Sequence, residues 1–275
     1  MPKSLLKLLL FLTYLLIVWG AVVRGTGSGL GCPDWPLCHG QIIPPFEQAV
    51  LIEYAHRLLA SLVGILTLVF CVRVWINADL RKIFGKKCGL LLGLLIFQII
   101  LGGIAVKTEL HPHIVAIHLG AALLFLGVIF YLFLQVRSPQ SVVRSPGLLS
   151  HWRLAVVFLQ ILLGGLVAAS EAGLACPDFP TCQGVWLPDL RGNVALHFSH
   201  RVLAFIILGM ASYLAIKKWQ CPLVKTIFGL VVLQILLGIG TVLMGLPLWM
   251  RIAHNGVAVL LFLGLVVRSY ELRRG

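Results

Sequence analysis

The chain has 275 residues, of which 60% are hydrophobic and 11% charged, and it carries a formal net charge of +13. That balance excludes a soluble globular domain and describes an all-α integral membrane protein crossing the bilayer many times. The excess of Lys and Arg favours anionic lipid headgroups as partners, and no basic patch interleaved with aromatic residues points to nucleic acid.

A spanning helix needs roughly 20 apolar residues. Eight such runs are predicted, over about 5–24, 51–75, 88–106, 113–135, 150–169, 194–216, 222–244 and 249–268. Sixteen of the 22 Lys and Arg fall on one side of them: Lys3 and Lys7, the five from Arg73 to Lys87, Arg137 with Arg144 and Arg153, Lys217 with Lys218 and Lys225, and Arg268 with Arg273 and Arg274. By the positive-inside rule that side is cytoplasmic, and both termini lie there. The implied location is the cell inner membrane.

The first span follows Lys3 and Lys7 in the manner of a signal peptide. An internal repeat makes it the counterpart of the fifth span, so it is read as a working helix. GCPDWPLCHG (31–40) matches ACPDFPTCQG (175–184), and Cys32, Cys38, His56 and Arg57 recur as Cys176, Cys182, His200 and Arg201, all 144 residues on. QIILGG (98–103) matches QILLGI (234–239), and His118 matches His254, 136 residues on. The eight-residue change is expected to be a longer cytoplasmic loop between the second and third spans. Four spans per half, an even number, make the repeat parallel: two pseudo-symmetric four-helix bundles, 1–137 and 138–275.

Cys32 with Cys38, and Cys176 with Cys182, fall in loops on the outer, oxidising side, and two disulfides are predicted there. Dithiol redox chemistry, as in a quinone-linked thiol oxidoreductase, is the weaker reading, because neither pair has CxxC spacing. Cys71, Cys88 and Cys221 are read as reduced structural residues.

The second span opens with Glu53-Tyr54-Ala55-His56-Arg57, and its twin is His197-Phe198-Ser199-His200-Arg201. Residues three apart share a helix face, and ionisable groups at the mouth of a span mark a functional site by default. His118 and His254 stand one or two turns from the outer ends of the fourth and eighth spans. Each half thus offers two histidines on its second and fourth helices, near small residues. A heme meets that pattern, with imidazoles on the iron, small side chains beside the porphyrin and Arg57 or Arg201 for propionates. Zinc competes, but it wants three or four grouped ligands. The QxxLGG glycines read as helix packing. His39, His111, His113 and His151 have no duplicated partner and read as solvated or interfacial, whereas His197 occupies the place of Glu53.

Together GCPDWPLCHG, EYAHR, QIILGG and His118, with their echoes, closely resemble the heme A synthase family, membrane enzymes that convert heme O to heme A for terminal oxidases. The resemblance implies a substrate heme O at Glu53, His56 and His118 in the first bundle, and a heme b cofactor held by His200 and His254 in the second. It also implies oxidation of a ring methyl to a formyl group, through an alcohol and a hydrated aldehyde. Heme O synthase and the terminal-oxidase assembly system are the implied partners, with a homo-oligomer left open. The residues themselves add an asymmetry: the first half has Glu53 where the second has His197, and Arg24 where the second has Ala168. A carboxylate near the membrane surface but surrounded by apolar side chains suits proton uptake during oxidation of a carbon. A diheme electron carrier of the b type is the alternative function, and it gives no reason to exchange one histidine for Glu53.

Overall fold

The computed structural model describes residues 2–137 and 152–271, and among these it is helical throughout its length-bearing elements. Eight helices are long and apolar enough to cross a membrane. They are α1 (Pro2–Gly25), α2 (Gln48–Ile76), α3 (Ala78–Lys107), α4 (Pro112–Arg137), α5 (Trp152–Ala169), α6 (Gly192–Lys218), α7 (Pro222–Leu243) and α8 (Leu248–Glu271). Arg144, His151, Arg273 and Arg274 lie outside the described residues.

Apolar side chains around the whole helix circumference explain these elements, since a backbone in lipid must satisfy its own hydrogen bonds. One expectation changes. The segment after Arg73 is no loop: α2 runs to Ile76 and α3 begins at Ala78. Asn77 makes this junction in a single residue, because its side-chain oxygen accepts the Asp79 and Leu80 N–H groups at 3.1 and 3.0 Å. Such a cap satisfies donors that a helix start leaves orphaned, and Asp79 suits the positive end of the helix dipole. The eight residues that the first half has in excess are helix.

The chain divides into two compact units, one holding α1–α4 and the other α5–α8. In the first, α1 packs on α2, α2 on α3, α3 on α4 and α4 back on α1, which closes a ring in which α2 and α4 are diagonal. The second unit closes the same way through α5, α6, α7 and α8. The first unit's tightest core is gathered toward the basic end, where Leu6 and Leu9 meet Phe70, Val74, Leu91, Ile129 and Leu132. Cys71 and Cys88 are buried, unbridged members of it, and the Cys71 thiol points at the Cys88 carbonyl at 3.8 Å. The histidines lie toward the other end of the same helices.

Candidate functional site

Each of the four duplicated histidines sits at the same step of its helix in both units. His56 is eight residues past Gln48 and His200 eight past Gly192; His118 is six past Pro112 and His254 six past Leu248. These steps correspond to roughly 12 and 9 Å along the axis.

Every ring stands against a glycine of the neighbouring helix. A Cβ built on Gly20 would lie 3.6 Å from His56 Cε1, and one on Gly102 would lie 3.7 Å from His118 Cε1. In the second unit the same test gives 2.8 Å from Gly164 to His200 and 3.1 Å from Gly238 to His254. The glycines are where a flat ring crosses the neighbouring helix, tightly at Gly164 and Gly238 and at ordinary contact distance at Gly20 and Gly102. Nδ1 of His56, His118, His200 and His254 is buried with no hydrogen-bond partner. Buried polar atoms are rarely left so, and their recurrence at four equivalent positions sets these rings apart as candidate ligands. Among the described residues no three His, Cys, Asp or Glu converge on one metal ion. The donors come two by two, on diagonal helices, with glycine behind each ring, and this set fits a heme in each unit better than a bare cation.

The ligand helices are also steadied from their neighbours. Gln98 Nε2 donates to the His118 carbonyl at 3.1 Å, and Gln160 Nε2 donates to the His200 carbonyl at 3.0 Å. Gln160 went unnoticed in the sequence because its counterpart in the repeat is Leu16.

The cysteine loops pack over the arginines. Both disulfides form, Cys32–Cys38 with Cα atoms 4.7 Å apart and Cys176–Cys182 with 4.5 Å. His39 and Gly40 have φ of 54° and 69°, and Gln183 and Gly184 have 57° and 78°. Two successive left-handed residues make the tight turn that lets Cys38 pair with Gln41, and Cys182 with Val185. The aspartate of each CPD motif holds this turn. Asp34 accepts the His39 and Gly40 N–H groups at 2.6 and 2.7 Å, and Asp178 accepts those of Gln183 and Gly184 at 2.6 and 2.9 Å. The Gly40 N–H above all keeps Asp34 below the usual carboxylate range. Asp178 is held at about 2, chiefly by the Thr181 hydroxyl and then by the Gly184 N–H.

Arg57 Nη1 donates to the Asp34 and Leu37 carbonyls at 2.8 and 2.7 Å, and Nη2 to the Cys32 carbonyl at 2.9 Å. Arg201 repeats this on the Asp178, Thr181 and Cys176 carbonyls at 2.8, 2.9 and 2.5 Å. Propionates are the expected partners of these arginines; in the structure their N–H groups bind the loop to the histidine helix. Sequence places a charge at a helix mouth but does not reveal which acceptor it finds. Arg57 Nε donates to Glu53 Oε1 at 3.0 Å, and Glu53 is 6% exposed, the one buried carboxylate among the described residues. Its twin His197 is 4% exposed. Trp35 of the first loop lies on Gly103, where a Cβ would come within 3.2 Å of its ring, so the two glycines of QIILGG back a histidine and a loop tryptophan in turn.

His39 Nε2 hydrogen-bonds the Gly31 carbonyl at 2.9 Å, and the rings of His111 and His113 lie 5.5 Å apart; His39 and His111 fall in the segments between helices, whereas His113 lies in the first turn of α4.

A family model described as cytochrome oxidase assembly protein, COX15-CtaA, matches residues 3–51 and 45–266. The chain is 31% identical over 319 residues to the heme A synthase of Shewanella oneidensis, covering 98% of this chain and 96% of that one. It is 32% identical over 267 residues to the heme A synthase of Halalkalibacterium halodurans, with 90% and 89% covered. Against the heme A synthase of Brucella ovis it is 27% identical over 317 residues, with 94% and 88% covered. With a match of this extent running through both units, the chain belongs to the COX15-CtaA family of cytochrome oxidase assembly proteins.

Proposed function

We propose that this chain is a heme A synthase that oxidises a ring methyl of heme O to a formyl group. The observation that carries the reading is the set of four half-buried imidazoles, each with a buried, unpartnered Nδ1 and each backed by glycine, divided two and two between the units. The division of labour rests on Glu53. It stands in the first unit beside His56, so heme O is assigned to His56 and His118, and heme b to His200 and His254. A heme b bound there supplies one-electron redox chemistry.

The residues of the first unit then have distinct tasks. His56 and His118 orient the substrate from diagonal helices. Arg57 fixes Glu53 Oε1, which leaves Oε2 to take the proton released as the methyl carbon is oxidised. Trp35 and the disulfide loop, tied down by Arg57, keep bulk water from the outer end. A b-type electron carrier would need no such carboxylate, and the exchange of Glu53 for His197 favours the enzyme. Both termini are assigned to the cytoplasmic side of the inner membrane and both cysteine loops to the outer face, with heme O synthase upstream and terminal-oxidase assembly downstream.

Extraction and chromatography of the hemes bound to the purified protein tests this. Heme b together with heme O or heme A is expected. His200→Ala and His254→Ala should each lose the low-spin b spectrum, while Glu53→Ala and His56→Ala keep it and stop heme A formation in cells. Normal b spectra in both second-unit variants, or undiminished heme A in the first-unit ones, would overturn the assignment.

A further inference from the structure

The two loop clamps are built from the same parts with one exchange at their centre. In the first unit the Arg57 charge is met by the buried Glu53 carboxylate at 3.0 Å. In the second, Arg201 Nε lies 3.3 Å from His197 Nε2, while the Cys176 N–H points at His197 Nδ1 from 3.3 Å. Both ring nitrogens therefore face donors, and the Ala172 backbone also hydrogen-bonds the ring as an acceptor. A protonated imidazole would set an N–H of the ring against the Arg201 N–H, whereas a neutral ring accepts from Arg201 at Nε2 and still has a donor for Ala172. The Arg201 N–H aimed at Nε2 favours a neutral His197, and Arg201 has no counter-ion at the position where Arg57 has one.

The remaining charges do not restore the balance. Asp34 and Asp178 are common to both units, each engaged by its own turn. Each unit has one more half-buried arginine near its histidines, Arg24 four residues past Gly20 and Arg251 three residues before His254. Glu47, Lys107 and Glu109 in the first unit, and Glu171, Asp189 and Arg191 in the second, are exposed and screened by water. At the clamp itself, the second unit therefore carries one more positive charge than the first.

We propose that His197, by leaving Arg201 uncompensated, sets the His200/His254 site as the one of the two that better holds an added electron. A heme is less positive when reduced, so a nearby fixed positive charge in a low-dielectric site stabilises that form. This rests on the heme assignment proposed above. His197 acts through charge, without touching the iron, as a positioning residue does.

The test is an optical redox titration of the b heme in the purified full-length protein. His197→Glu, which rebuilds the Glu53–Arg57 arrangement, should lower the one-electron reduction equilibrium about tenfold, about 59 mV. His197→Gln, which keeps the charge, should stay within about threefold of the parent. Where His197→Glu fails to fold, Arg201→Gln removes the same charge and should shift the equilibrium in the same direction. An intact b spectrum with an unchanged potential in the charge-altering variant would overturn the inference, as would an equal shift in His197→Gln. Parent protein without any b heme would instead overturn the heme assignment on which the inference stands.

Discussion

The ring of His200 lies where a side chain on Gly164 would go: a Cβ there would be 2.8 Å from Cε1 and 3.5 Å from both ring nitrogens. Contacts below 3.0 Å force a shift, and the atom that must give is on the residue assigned to hold heme. Gly164→Ala should cost about 1–3 kcal/mol by overpacking and lower b-heme content. Gly20→Ala, at an ordinary 3.6 Å from His56, should be neutral or stabilising by up to about 1 kcal/mol through helix propensity. Thermal unfolding of the two variants side by side in detergent checks the order.

Arg57 and Arg201 make matching loop contacts but leave different neighbours when removed. Arg57→Ala strands the buried Glu53 carboxylate, for which about 3–5 kcal/mol is expected. Arg201→Ala leaves a neutral ring and unpaired carbonyls, for which about 1–3 kcal/mol is expected. Denaturation of each variant, with protease nicking of residues 31–47 and 175–191 as the local readout, should rank Arg57→Ala as the more damaging. Equal losses would show that the carboxylate plays no part in the difference.

The loops should respond to acid in a fixed order. Asp34 and Asp178 both titrate below the ordinary carboxylate range, so their support is complete above the unfolded-state value of about 3.9 and fades as pH falls toward the folded one. Asp178, held at about 2 with the Thr181 hydroxyl as the first cause, should keep its turn closed to lower pH than Asp34, whose loop has Leu37 at that place. Amide protection of Gln41 and Val185 between pH 5 and pH 2 measures this; Thr181→Leu should bring the second loop into line with the first.

Asn77→Ala removes the cap of α3 and should cost about 1 kcal/mol. Far-ultraviolet dichroism and the denaturation midpoint together separate fraying at this junction from loss of the unit.

Hydropathy and the two repeat offsets made the eight spans, the paired histidines and the bridged cysteines readable, because each depends on chain-local pattern. The helical junction at Asn77 was not, since DLRKIFGKK is polar enough to pass for a loop although Leu, Arg and Lys are good helix formers. Nor was the role of Gly20, Gly164 and Gly238. A glycine in a membrane helix is common, and the ring it admits belongs to another helix far along the chain. The acceptors of Arg57 were hidden for the same reason: carbonyls turn toward it only once the Cys32–Cys38 turn has closed.

The one-residue junction also governs how deep the first unit can sink. At 1.5 Å per residue, the 29 residues of α2 and 30 of α3 reach roughly 44 and 45 Å, against roughly 30 Å of hydrocarbon. The surplus is a stiff two-helix spur carrying Arg73, Arg81, Lys82, Lys86 and Lys87, with Asn77 at its tip. A slack loop would let those cations meet phosphates at any immersion; a spur presents them at fixed heights. Because α2 is one continuous helix, the height of this spur also fixes the height of His56 at the far end of the same rod.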